Sequence, residues 1–368
     1  MSQFSVDRHG VTDIHQALDT VLRAAEDVAG TDLLLTLGSP PMLRLDGAIR
    51  PVPGVPPIDE ALMRAYLADL LDGDMTELER DRDVDFAFSH GHNRFRGNVF
   101  FQRGVPAVAL RLIQSSIPTF QEIGLPAAVQ DLIHLKQGLV LFCGPTGSGK
   151  STSMATMVDA INAERPCHII TIEDPIEYLH ENRTAVVHQR EVGIDAQSFA
   201  RALRAALRED PDVVLVGEMR DPESIAITLT LAETGHLVLS SLHTNDAPQT
   251  LDRIVDVFPA ERQGQIRQQL ASTLSAVVAQ RLVPRVESGL VAAYEVLLGT
   301  QPVKSLIRDG KANQLRNAMQ IALGVGHKTL EMSLTELVNS GTITMEAATL
   351  AAFVPHEVDP GRVSPLMA

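Results

Sequence analysis

The chain has no tryptophan and only two cysteines, and aromatic residues make up 4% of its 368 positions. An interior so poor in large rings must be filled by Leu, Ile, Val and Ala, which fall within the 45% of residues that are hydrophobic. Two cysteines, Cys143 and Cys167, exclude a four-thiolate zinc site. Both lie in apolar runs, LVLFCG and PCHIITI, where a thiol acts as a small hydrophobe, so a reducing compartment is expected. No apolar run approaches the roughly 18 residues that mark a membrane span. The opening MSQFSVDRHG also lacks the apolar core of a secretory signal, so a cytoplasmic location is expected, with any membrane contact made through a partner. Positive charge is scarce as well: 31 Lys and Arg stand against 46 Asp and Glu, a net charge of −15. That balance offers no general attraction to nucleic acid or anionic lipid, so no nucleic-acid partner is expected. Internal repeats and low-complexity tracts are absent too.

What the chain does have is length and periodicity. At a soft prior of about 150 residues per domain it makes two or three domains, each able to bury a core. From Val11 to Arg111, Ile14, Leu18, Val21 and Leu22 have helical spacing, whereas MLRLDG and the alternation Val84, Phe86, Phe88 read as strands. A small α/β domain over residues 1–115 is expected. Within it Asp81, Asp83 and Asp85 resemble the opening of a calcium loop, but Phe86 and His92 stand where that loop needs Gly and Glu. The histidines of SHGHN, His90 and His92, read as part of a polar hairpin turn and not as a metal site. The Pro- and Gly-bearing segment QSSIPTFQEIGLPA reads as a connector, placed at 116–127. Beyond it LVLFC, HIITI, VVLVG and HLVLSSL are separated by helix-length segments, the order of parallel strands with crossover helices. Residues 128–368 therefore read as a doubly wound α/β domain. From Ala260 the pattern turns helical, with Ile266, Leu270, Leu274 and Val278 on one face, and from Pro355 it reads as a loose tail.

The strongest local signal follows LVLFC directly. Gly144, Pro145, Thr146, Gly147, Ser148, Gly149, Lys150 and Ser151 fit G-x-x-x-x-G-K-[ST], and Thr152 continues into a helical segment. The glycines let backbone N–H groups turn inward onto phosphate oxygens at a helix N-terminus. Lys150 adds a mobile charge for the β and γ phosphates, and the Ser151 hydroxyl suits a magnesium position. ATP and Mg2+ are thus the expected cofactors. In an open parallel sheet the other strands end on the same crevice. The second delivers Glu173, Asp174 and Glu177, and the third delivers Glu218 with Arg220 and Asp221 beyond. The fourth carries His236 before it and His243 after it. Gly217 occupies the spot where an Asp more often sits, so Glu218 must cover the metal-holding role.

These residues resemble the PilT-like retraction ATPases of type IV pili, within the secretion ATPase superfamily. The resemblance spans about Asp32 to Glu331 and rests on TDLLLTLGSPPMLRLDG, GPTGSGKSTS, TIEDPIEYLH, DPDVVLVGEMRD, TGHLVLSSLHTNDA and IRQQLASTLSAVVAQRL. It implies a PAS-like N-terminal domain, a RecA-like P-loop ATPase domain with C-terminal helices, and a homohexameric ring at the cytoplasmic base of the pilus machine. There an inner-membrane platform protein would receive its work, and hydrolysis would drive pilus disassembly and twitching motility. By resemblance Lys150 and Ser151 take the phosphate and magnesium positions, Glu218 the metal-binding strand, and Glu173 the glutamate that polarises water, the choice of base between the two glutamates staying open. His236 and His243 fall on the histidine box. Arg96 and Arg111, with Arg94 as a third candidate, match N-terminal-domain arginines that reach phosphate oxygens across the interdomain cleft. Two departures stand out. Thr31 to Thr36 reads TDLLLT in place of a polar SDLHLT, so that surface is expected to be more buried or differently paired. The AIRNLIRE stretch appears as Val303 to Asp309 with only its LIR centre, leaving a second reading as an accessory, PilU-like partner of another retraction ATPase.

Overall fold

The computed structural model describes residues 14–28, 30–45, 48–91, 93–113 and 116–361. His92, Gln114, the N-terminal residues up to 13 and the tail beyond Gly361 lie outside the described residues. The chain divides into two compact units between Ser116 and Ile117.

The first unit runs α1 (Ile14–Asp27), β1 (Asp32–Thr36), β2 (Met42–Leu45), β3 (Ala48–Pro51), α2 (Glu60–Leu70), α3 (Thr76–Asp81), β4 (Asp83–His90), β5 (Asn93–Gln102) and β6 (Val105–Ile113). Its six strands form one sheet in the order β3-β2-β1-β6-β5-β4 with antiparallel neighbours. Side-chain alternation sends Phe95, Val99, Val108 and Leu110 inward against Leu18, Val21 and Leu22 of α1 and Met63, Tyr66 and Leu67 of α2. Each such apolar side chain contributes about 1.5–3 kcal/mol on burial. In TDLLLT, Leu33 and Leu35 enter this core while Leu34 lies half-buried on the other face, opposite Ala109. The acidic stretch is a short helix leading into β4, as its composition suggests. His90 is held between Asp19 and Glu26 of α1 at 2.9 and 3.0 Å. Two carboxylates favour the imidazolium and hold its pKa above the usual histidine value despite partial burial.

The second unit opens with α4 (Phe120–Ile123) and α5 (Ala127–Gln130). The segment read as a connector is thus partly ordered: Thr119 and Glu122 form a capping box, and Phe120 and Ile123 rest on the second unit's core. It continues with β7 (Gly138–Cys143), α6 (Lys150–Glu164), β8 (His168–Glu173), β9 (Val186–Glu191), α7 (Phe199–Ala206), β10 (Val213–Val216), α8 (Pro222–Glu233) and β11 (Leu237–Leu242). Then come α9 (Ala247–Asp256), α10 (Ala260–Thr273), β12 (Leu274–Pro284), β13 (Leu290–Leu298), α11 (Gln301–Arg308), α12 (Leu315–Ile321), α13 (Leu330–Asn339) and α14 (Met345–Ala351). The seven-stranded sheet has the order β13-β12-β7-β11-β10-β8-β9 and is parallel except for the β12/β13 pair. All four apolar runs are strands of it, and both faces are covered. Leu139, Leu141 and Cys143 face one core layer, Val140 and Phe142 the other.

Two expectations fail here. Leu274 and Val278 belong to β12, not to a helix continuing from α10, because a strand buried on both faces loses its alternation and its apolar positions also fit helical spacing. The chain from Pro355 is not loose as far as it is described: Val358 is buried, and Arg316 joins Glu331 and Glu357 at 2.8 and 2.6 Å. Cys143 is wholly buried and its thiol is pushed up to about 12 by burial, whereas Cys167 is only partly covered.

Candidate active site

Helix capping separates one rim of the parallel sheet into filled and open positions. Helices α8 and α9 begin there, and Asp221 and Asp246 cap them through their side chains. Asp221, which its motif places among the strand-end charges, is therefore a helix cap. Helix α6 begins on the same rim behind Gly149, which stands at φ +87° and supplies no side-chain cap. Its first-turn N–H groups are left for an anion, and the helix dipole favours negative charge there. A Cβ on Gly149 would come within 2.7 Å of Gln280 Nε2, and one on Gly144 within 2.6 Å of Ser148 Oγ, so the loop closes only on glycine. Ser148 is 3% exposed and its hydroxyl has no partner among the described residues, an orphan that a phosphate oxygen would satisfy.

Lys150 is buried, and its Nζ donates to the carbonyls of Gly144 and Pro145 at 2.9 and 3.1 Å. Burial lowers its pKa, and the charges of Glu177 and Glu218 act in the opposite sense. Those two carboxylates therefore lie within electrostatic reach of the loop. Thr152 bonds the Tyr178 hydroxyl at 2.8 Å, tying α6 to the acidic segment after β8. Beside Pro145 to Ser148 a cavity of about 440 Å³ is walled by Arg281 to Pro284 of β12 and by Ala347, Leu350 and Ala351 of α14.

The ends of β8, β10 and β11 meet in one ionic cluster. Glu218 pairs with Arg220 and, at 3.2 Å, with His243 Nε2, while Arg220 also reaches Asp174 at 3.4 Å. A Cβ on Gly217 would lie 3.3 Å from the Cα of Glu173, so a side chain here would be tightly packed against the neighbouring strand. Glu173 is treated differently from Glu218. Among the described residues its donors are neutral: Thr171 Oγ1 at 2.6 Å, Gln189 Nε2 at 3.4 Å and the Glu177 backbone. Burial pushes its carboxyl up to about 7, against the pull of those bonds.

His236 does not join this cluster. It precedes β11, and its Nδ1 contacts the Leu231 carbonyl at 2.8 Å. The parallel pairing sets Leu237 beside Gly138, at the end of β7 opposite the loop. At about 3.3 Å per residue the strand carries His236 roughly 20 Å from the crevice. Within one chain His236, preceding a parallel strand, therefore lies at the end of the sheet opposite the phosphate loop. Arg96 and Arg111 belong to the first unit, where they stand directly opposite each other on β5 and β6 and are both exposed. Arg111 also bonds Asp32 at 2.9 Å. Gln280, Ser153, Tyr178 and Arg220 contact or adjoin the loop and cluster without having been assigned a role by motif. The available signal was polar residues inside otherwise apolar or motif-bearing runs.

A family model described as Type II/IV secretion system protein matches residues 71–333. The chain belongs to this family. It is 44% identical over 328 residues to the Type IV pilus retractation ATPase PilT of Pseudomonas aeruginosa, covering 89% of this chain and 95% of that one. It is 40% identical to the Type IV pilus ATPase PilU of the same organism, over 90% of this chain and 87% of the relative. A crystal structure of the pilus retraction motor PilT with bound ADP superposes with a TM-score of 0.86 at 44% identity, covering 92% of this chain and 98% of that one. The fold is that of these ATPases: an N-terminal α/β domain followed by a P-loop domain built on a parallel sheet.

Proposed function

We propose that this chain is a magnesium-dependent ATPase whose turnover drives retraction of type IV pili and twitching motility. The observation that carries the reading is the likeness to PilT over nearly the whole chain, on a phosphate loop whose helix is left uncapped. In this reading the loop amides of Gly144 to Lys150, with Thr152 at the following turn, hold the phosphates, and Lys150 neutralises the β and γ oxygens. Ser151 and Glu218 would hold Mg2+, which when bound supplies charge neutralisation along the phosphates. The donor set fits: no three His, Cys, Asp or Glu side chains gather as a metal cage among the described residues, and magnesium characteristically relies on substrate phosphates and waters.

Of the two glutamates the geometry favours Glu173 as the base. Both Glu218 oxygens are engaged, by Arg220 and by His243 Nε2, whereas Glu173 meets neutral donors and has a raised proton affinity suited to accepting a proton from water near neutral pH. His243 orients Glu218. Arg96 and Arg111 supply positive charge to the phosphate oxygens during turnover. The working form is a homohexamer acting on an inner-membrane platform protein from the cytoplasmic side. No described helix is long and apolar enough to cross a membrane, which is in keeping with a partner providing the anchor.

Deleting the gene in the source bacterium tests the reading. Excess surface pili and lost twitching, restored by the wild-type gene but not by Lys150→Ala, are expected; a strain without pili would refute it. The reduced LIR stretch on α11 and the PilU likeness favour one second reading, an accessory partner of another retraction ATPase. Negligible turnover by the purified chain, with tight nucleotide binding, would select it.

A further inference from the structure

Behind the phosphate loop lies a line of buried polar side chains that the reaction as described does not use. Gln280 sits on β12, 3% exposed, in a strand otherwise filled here by Val and Ala. Its Oε1 accepts from Ser153 Oγ at 2.9 Å, and Ser153 lies in the first turn of α6. Its Nε2 meets the position a Cβ would take on Gly149, and its backbone carbonyl oxygen does the same at Gly144, so both glycines bounding the loop pack on this one residue. Directly opposite Gln280 in the β12/β13 ladder stands Tyr294, 2% exposed. The Tyr294 hydroxyl donates its one proton to the carbonyl of Ile123 at 2.9 Å, with Ser153 close by. Ile123 ends α4, the capped turn with which the second unit begins.

We propose that Gln280, Ser153 and Tyr294 are positioning residues for ATP hydrolysis, a chain of adjoining buried polar side chains that fixes the pitch of the phosphate loop against α4. Apolar side chains of similar volume would fill the same space without needing partners, whereas every buried polar atom costs stability unless its geometry is met. Buried polar contacts of this kind specify one arrangement of the elements they join. Here they join a strand pair, the start of α6 and the turn with which the second unit begins. Burial pushes the Tyr294 phenol up to about 12, which keeps the proton it donates to Ile123 in place at any physiological pH. A loop displaced by about 1 Å loses up to 10²-fold in rate, because the γ-phosphate no longer meets the attacking water in line.

The proposal rests on the ATPase reading, and two variants test it. Tyr294→Phe removes one hydroxyl and leaves the ring in the core; Gln280→Met keeps the length and removes both amide groups. Each is expected to lower kcat by about tenfold or more with KM changed by less than about threefold, and the double variant to lose little beyond the worse single one. Unchanged kcat per folded molecule with only a lowered melting temperature would reduce the chain to a structural role and overturn the proposal, as would fully additive losses. If Gln280→Met does not fold, Tyr294→Phe decides alone. If the wild type itself does not hydrolyse ATP, the ATPase reading falls, and the dissociation rate of a fluorescent ADP analogue remains as the test: a faster rate in Tyr294→Phe sustains the chain, an unaltered rate ends it.

Discussion

The two rims of the seven-stranded sheet carry similar residue types and do different things with them. At the carboxyl rim Asp174, Arg220, Glu218 and His243 join the ends of three strands beside the phosphate loop. At the amino rim His236 satisfies a carbonyl at the end of α8, and His168 contacts the Asp210 carbonyl at 3.2 Å and His188 at 2.9 Å. Those histidines tie turns and strands together. The difference has a cause in the chain direction: helices start at the carboxyl rim, presenting N–H groups and the positive ends of their dipoles, and end at the amino rim. Histidines and acids mark a phosphate site only where that backbone field is available.

Four substitutions would break or sharpen this contrast. Lys150→Ala removes the buried cation of the loop and is expected to lower ATP turnover by at least about 10³-fold in a coupled assay; a near-normal rate would place the chemistry elsewhere. Glu173→Gln is expected to cost about 10²-fold or more. Because a base works as its carboxylate and this one titrates at about 7, wild-type kcat/KM should fall as pH drops through that value. The variant should lose that acid limb, and an unchanged pH profile would remove Glu173 as the base. His243→Ala withdraws one partner of Glu218 and is expected to cost on the order of tenfold. His236→Ala should leave turnover within about twofold and reduce stability by about 1 kcal/mol, seen as a lower denaturation midpoint. A loss of rate at His236 equal to that at His243 would erase the distinction between the rims.

The second unit was the more legible from its sequence. Parallel strands buried on both faces appear as continuous apolar runs, and the phosphate loop is local in sequence, so β7, β8, β10 and β11 and the residues at their ends could be placed in advance. Strands β12 and β13 could not, since LSAVVAQRLVP satisfies both helical and strand spacing until β7 pairs with it. The order of Thr119 to Ile123 depended on a capping box lying between two prolines, which the connector reading passed over. The separation of His236 from His243 was hidden for a different reason: the motif groups them, whereas the strand between them holds the two at opposite ends.

By itself the sequence determined the fold class, the phosphate loop and the rim on which acids could act, because each depends on neighbours a few residues apart and on the direction of the chain. Only the tertiary structure decided that Arg96 faces Arg111 across β5 and β6, that Arg220 bridges Asp174 and Glu218, and that Gln280 and Tyr294 stand side by side behind the loop. Strand register and side-chain pairing join segments distant in sequence, and they are settled when the packed core fixes which faces meet.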